Sequence, residues 1–145
     1  MSKFHKKADV VIIGLGGITG ASVVHHLIER GWDNIIGIDK SGIPTDIGST
    51  GHASDFCFTT AHDQMTFYTT KYSIDFFEKR DRYSRIGGIE VARKGDDERM
   101  RELERRVSSG RAFGSRVSLI TPEEVKKRMP LVEEDMIQGA LWDPD

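Results

Sequence analysis

Residues 10–23 read VVIIGLGGITGASV. The four β-branched residues Val10 to Ile13 run without a polar break, the pattern of a parallel strand buried on both faces. Glycines then crowd the chain at Gly14, Gly16, Gly17 and Gly20. Apolar residues resume at helical spacing with Ala21, Val24 and Ile28, and the pattern stops at Glu29-Arg30-Gly31. Gly31 suits the position just past a helix, where φ > 0 costs a residue without Cβ little. A second apolar strand, Ile35-Ile36-Gly37-Ile38, closes on Asp39. Strand, glycine turn, helix, turn and strand within about thirty residues make a βαβ unit.

A pyrophosphate docks well at such a turn. The helix N-terminus presents unpaired N–H groups and the positive end of the helix dipole, and a Cβ would block the approach. An acidic residue at the end of the next strand, about twenty residues on, accepts hydrogen bonds from the adenosine ribose, and Asp39 stands at that place. The G-x-G-x-x-G fingerprint is incomplete in either register, because Leu15 or Thr19 occupies a glycine position. A turn longer by one residue, Gly14-x-Gly16-Gly17-x-x-Gly20, repairs it. These residues point to a dinucleotide and leave NAD(P) and FAD open.

Past Asp39 the chain enters a turn-rich loop, SGIPTDIGSTGHAS, and residues 62–83 then read as a helix. Met65, Tyr68, Tyr72 and Phe76 share one side of it and Phe67 and Ile74 the other, so it is expected to lie between layers. Ile86 to Ala92 is a predicted strand, and 96–113 a charged amphipathic helix with Met100, Leu103 and Val107 inward and Gly114 as its stop. Val117 to Ile120 is a short strand. Thr121-Pro122-Glu123-Glu124 is a capping box with proline at the first helical position, and Pro130 ends that helix. Ile137 to Trp142 is a last strand with no closing element after it.

At 145 residues, with 37% hydrophobic and 30% charged residues, the chain is one globular domain or part of a larger one. A net charge of −2 gives no electrostatic case for nucleic acid or a membrane surface. No apolar run approaches the roughly 18 residues of a membrane span, and the basic N-terminus lacks the apolar centre of a secretory signal. The single cysteine, Cys57, suits a reducing compartment, so a cytoplasmic protein is expected.

Four further stretches narrow the choice of dinucleotide: Asp39-Lys40, Gly48-Ser49-Thr50-Gly51-His52-Ala53, Gly87-Gly88-Ile89-Glu90-Val91-Ala92, and Thr121 to Glu124 ahead of Pro130-Leu131. With the glycine turn, their order and spacing resemble the glycine-oxidising flavoproteins of the D-amino-acid oxidase superfamily, in particular dimethylglycine and sarcosine dehydrogenases and oxidases. The resemblance runs nearly the whole chain. It implies an α/β fold, a Rossmann-like FAD-binding βαβ unit over residues 1–60, and helices and strands over 61–145 leading toward a substrate domain that is missing or truncated. It implies FAD, with Gly16, Gly17, Ile18 and Thr19 at the pyrophosphate between Gly14 and Gly20, and Asp39 at the ribose. Lys40 and the Ser49-Thr50 pair after Gly48 approach the adenosine and pyrophosphate, while His52 and Ala53 reach the ring. In several members the equivalent of His52 is bonded to the flavin 8α carbon. The implied reaction is hydride transfer to flavin from the N-methyl or α carbon of a small amine, with folate as a partner where a C-terminal region binds it. Two departures stand out: extra residues from Ile43 to Ile47, and Ser54-Asp55-Phe56 where a proline or alanine and then glycine are usual. No substrate-binding residue or general base is identified.

Two other readings remain. An NAD(P)-binding dehydrogenase shares the turn and Asp39 but accounts for neither the Gly48–Ala53 loop nor the Gly87–Ala92 strand. A non-catalytic chain, truncated or completed by a complementary subunit, fits the two-sided helix and the unclosed last strand. Elsewhere the bland readings prevail. His25 and His26 are a partly exposed pair, His62 sits near a helix start, His5 lies at the terminus, and no Cys/His spacing suggests a metal. Cys57 reads as a small buried hydrophobe between Phe56 and Phe58. The cations between 93 and 106 read as a solvated face.

Overall fold

The computed structural model describes residues 7–145; His5 lies outside them. The chain divides into two compact units, Met1–Phe56 and Cys57–Asp145.

In the first unit, β1 (Val10–Ile13) and β2 (Ile35–Ile38) pair in parallel, Val10 opposite Ile35 and Ile13 opposite Ile38, with α1 (Ile18–Glu29) connecting them. The sheet is not buried on both faces as its apolar run predicts. Val10 and Ile12 are half-buried, while Val11 is 51% and Ile13 86% exposed. Successive strand residues face opposite sides, and here one side is covered and the other is not. The phase of α1 also differs from the prediction. Gly20 is buried and Val24 and Leu27 half-buried, whereas Ala21 and Ile28 are exposed. The helix ends in a Schellman turn, Gly31 N–H to Ile28 O at 2.9 Å and Trp32 N–H to Leu27 O at 3.0 Å, with Gly31 at φ 86°.

The second unit carries α2 (Gln64–Glu78), β3 (Gly88–Arg93), α3 (Asp97–Phe113), β4 (Ser118–Ile120), α4 (Pro122–Arg128) and β5 (Ile137–Asp143). Its sheet is antiparallel in the order β3-β5-β4. The last strand is therefore not unclosed: β5 is the central strand, hydrogen-bonded on both edges. Leu103 and Val107 of α3 pack with Ala92, Val117 and Leu141, with Met100 beside them, as the spacing predicts. Val125 of α4 packs with Ile120, Ile137 and Ala140. The capping box forms: Glu124 N–H donates to Thr121 Oγ1 at 3.2 Å and Thr121 N–H to Glu124 Oε2 at 2.9 Å.

Two expectations fail in this unit. α2 buries Phe67 and Ile74, while Met65 and Tyr68 on the other side are 69% and 65% exposed, so it is covered on one side. It also stops at Glu78, well before residue 83, in a second Schellman turn with Asp81 at φ 55°. The cation-rich α3 is not simply a solvated face. Arg106 clasps Glu90 of β3 with two bonds of 2.6 Å, and Arg99 reaches the same carboxylate at 2.7 Å. Buried Asp143 joins the two ends of the unit: it accepts Thr59 N–H at 2.6 Å and the Thr59 hydroxyl at 2.9 Å, while Ser115 and Thr59 hydroxyls meet at 2.7 Å.

Candidate dinucleotide site

The site begins where β1 meets α1. Gly14 N–H donates to Ile38 O at 2.7 Å, which ties the turn to the end of β2. A Cβ on Gly20 would lie 2.2 Å from Gly14 O, so helix and strand touch backbone to backbone and only glycine fits. This is the packing role of the fingerprint's last glycine, and it makes the turn one residue longer than G-x-G-x-x-G. Leu15, inside the lengthened turn, lies over Gly37, where a Cβ would meet its Cδ2 at 2.1 Å.

Asp39 and the loop after it fold against this turn. Asp39 Oδ2 accepts Gly16 N–H at 2.8 Å, and Oδ1 accepts both N–H and O–H of Ser41 at 3.1 Å. These bonds, the Gly16 N–H foremost, hold its carboxyl below the usual range. Ser41 Oγ meets Thr45 Oγ1 at 2.7 Å, and Thr45 N–H donates to Gly16 O at 3.2 Å. Further on, Thr50 Oγ1 accepts Ile18 N–H at 3.0 Å, at the first residue of α1. Of the extra residues Ile43 to Ile47, Thr45 is thus one that closes over the turn. Ser41 and Thr45 were not singled out from the sequence, although a serine two residues past an aspartate is a turn-forming pattern.

The result is a pocket of about 360 Å³ lined by Gly14, Gly17, Asp39, Lys40, Thr45, Gly48, Ser49 and Thr50, with Ile13 and Ile47 as apolar walls. Gly16 is buried behind it, bonded to Asp39, and Gly20 is buried at the strand–helix contact. Ile18 touches the site through its N–H, and the Thr19 side chain is exposed. His52 and Ala53 are exposed at the end of a short 3₁₀ turn, Ser49–His52, and do not line the pocket.

The residues suit the ADP half of FAD. The N-cap Gly17 supplies no side-chain cap to α1. A Cβ there would meet Thr50 Oγ1 at 3.4 Å, an ordinary contact, so the protein itself does not require glycine. A ligand lying on the helix N-terminus does. Ionised Asp39 is a ready acceptor for ribose hydroxyls, and the volume falls in the range of small-ligand sites.

The match to a family model runs over residues 9–145, and that family is DAO, described as FAD dependent oxidoreductase. The chain belongs to this family. Mouse mitochondrial pyruvate dehydrogenase phosphatase regulatory subunit is 29% identical over 96% of this chain and 16% of its own length. Rat mitochondrial dimethylglycine dehydrogenase is 27% identical over 95% and 16%. Among solved structures, L-proline dehydrogenase from P. horikoshii superimposes with a TM-score of 0.85 at 29% identity, covering 95% of this chain and 37% of that one. The chain therefore spans about one sixth of the curated relatives' length. Family and fold agree with the resemblance seen in the sequence. Among the described residues no helix is long and apolar enough to cross a membrane.

Proposed function

We propose that this chain is the dinucleotide-binding N-terminal part of an FAD-dependent amine oxidoreductase acting on a small N-methylated amino acid of the dimethylglycine or sarcosine type. The observation that carries the dinucleotide reading is the convergence of Gly17, the α1 N-terminus, Thr50 Oγ1 and Asp39 on one pocket, and the similarity to dimethylglycine and sarcosine dehydrogenases supports the amine. FAD supplies the hydride-accepting chemistry when bound. Gly17, Ile18 and Thr19 at the α1 N-terminus hold the pyrophosphate, Gly16 backs them through its bond to Asp39, Asp39 holds the ribose, and Lys40 with Ser49 and Thr50 the adenosine side. His52 lies further along the same loop, on the way to the ring, and is the candidate for covalent attachment. The amine site, and any folate or complementary subunit, belongs to sequence beyond these residues.

The test is to incubate the purified chain with FAD, remove unbound FAD by gel filtration, denature the protein fraction in acid, and record the visible spectrum of pellet and supernatant. Flavin released to the supernatant supports a non-covalent FAD protein. Colour kept by the pellet and lost in His52→Ala supports a histidyl bond. Retention of NADH with no retention of FAD overturns the reading in favour of a nicotinamide dehydrogenase.

The relative named as a regulatory subunit favours a second reading, in which the same pocket holds FAD without turnover. A longer form of the protein that binds FAD but is not reduced by any N-methylated amino acid under anaerobic conditions would select it.

A further inference from the structure

The other end of α1 gathers three ligand-type side chains. His25 Nε2 lies 3.2 Å from one carboxylate oxygen of Glu29, and His26 Nδ1 lies 2.9 Å from the other. One ligand atom from each of the three falls within 4.8 Å of the others. The two rings meet edge to face, centroids 5.1 Å apart at 70°, so they approach the carboxylate from different directions. Helical geometry produces this: residues three and four before Glu29 flank it on the same surface.

We propose that His25, His26 and Glu29 form a binding site for a divalent transition-metal ion, Zn²⁺ first among them. Donors placed tetrahedrally at bonds of ~2.0–2.1 Å are roughly 3.4 Å apart. The two histidine–carboxylate distances end on different oxygens of Glu29, and one ligand atom from each residue lies within 4.8 Å of the others, so turns of the imidazoles and the carboxylate bring three donors to that separation. Two nitrogens and one carboxylate favour zinc, cobalt, nickel or copper over magnesium and calcium, which take oxygen ligands. His25 coordinates through Nε2 and His26 through Nδ1, with water in the fourth position. The side chains of His25, His26 and Glu29 are 37%, 26% and 50% exposed, so solvent reaches the cluster. The ion replaces two hydrogen-bonded contacts with metal–ligand bonds and staples the last turns of α1. That helix lies in a unit with no buried apolar side chain among its described residues.

The site is tested by titrating the full chain with Co²⁺, following its visible absorption, then displacing it with Zn²⁺. The expected result is one equivalent, with affinity at least tenfold weaker in His25→Gln and in His26→Gln and a smaller loss in Glu29→Gln. Glutamine retains hydrogen bonding and helix propensity, and far-UV circular dichroism checks that each variant is folded. Cys57→Ser is expected to bind as the parent does. Binding that survives both histidine variants, or that disappears in Cys57→Ser, overturns the proposal, as does no absorption change up to millimolar Co²⁺.

Discussion

Within residues 57–145, Ile74, Leu103, Val117, Val125 and Leu141 are exposed by 1% or less, whereas between residues 7 and 56 the buried positions are Gly16 and Gly20. The second unit is ordered by a side-chain core beneath an antiparallel sheet. The first is ordered by backbone contacts: Gly20 against Gly14, Gly16 N–H on Asp39, Ile18 N–H on Thr50. Burying a large apolar side chain stabilises by about 1.5–3 kcal/mol, and the first unit gains little of that. A ligand in its pocket that prefers the folded form would add stability by mass action. The unit that carries the candidate site is thus the one with less apolar surface buried.

The largest effect expected is in the core. Leu103→Ala should cost about 2–5 kcal/mol, because Leu103 is fully buried between α3 and the sheet. Ile13→Ala, at an 86% exposed strand position, should stay within about 0.5 kcal/mol. Urea denaturation of the two variants measures the contrast directly. Equal losses would mean that the first unit has a core this structure does not show.

Two glycines test the first unit. Gly20→Ala drives a Cβ against Gly14 O and should cost about 1–3 kcal/mol as well as FAD binding. Gly17→Ala meets nothing closer than Thr50 Oγ1 at 3.4 Å. It should cost the free protein about 0.5–1 kcal/mol, since alanine caps a helix less well than glycine, yet weaken FAD at least tenfold. Thermal melts with and without FAD separate the two outcomes. If Gly17→Ala binds FAD normally, the ligand does not lie on the helix N-terminus.

Asp39 adds a pH dependence. Its folded-state value is lowered by Gly16 N–H first and by Ser41, so its contribution is present above the ordinary carboxylate value. It is lost as pH falls through the lowered value. Acidification should therefore loosen the glycine turn, and Asp39→Asn should remove that step. Amide hydrogen exchange at Gly16 and Ser41 across the acid range follows it.

How much of this was legible in the sequence depended on whether a residue's role is local. The strands, the caps at Thr121 and Gly114, and the inward face of α3 follow from periodicity and turn chemistry within a few residues. The centrality of β5 does not, because a strand's pattern states which face is apolar and not which neighbours its edges find. The phase of α1 was missed for the same reason: it is set by Gly20 meeting Gly14, and the apolar spacing of Ala21, Val24 and Ile28 points elsewhere. The pocket itself was largely legible through Gly14, Gly17, Asp39, Lys40 and Gly48 to Thr50. Thr45 was not, since its contact with Gly16 joins parts of the chain far apart in sequence. His52, read from its motif as a ring contact, is exposed and outside this pocket, which suits the ADP half, so its place at the ring stands as a proposal.

The smallest effect compares helix ends across the two units. α1, α2 and α3 all close with the same pair of hydrogen bonds, and the left-handed residue is Gly31, Asp81 and Gly114 respectively. Asp81 is the position where a side chain pays for that conformation, at φ 55°. Asp81→Gly relieves the strain but gives the unfolded chain more freedom, so a net gain of about 0.5 kcal/mol is expected. Gly31→Ala and Gly114→Ala run the other way, each losing about 1–2 kcal/mol at φ 86° and 95°. Because the second unit has a core, the Gly114 loss should appear as a shift of its cooperative transition. The Gly31 loss should appear as local opening of α1, seen by hydrogen exchange and suppressed by FAD. A Gly31→Ala variant that instead lowers the transition of the second unit would show that the two units unfold as one.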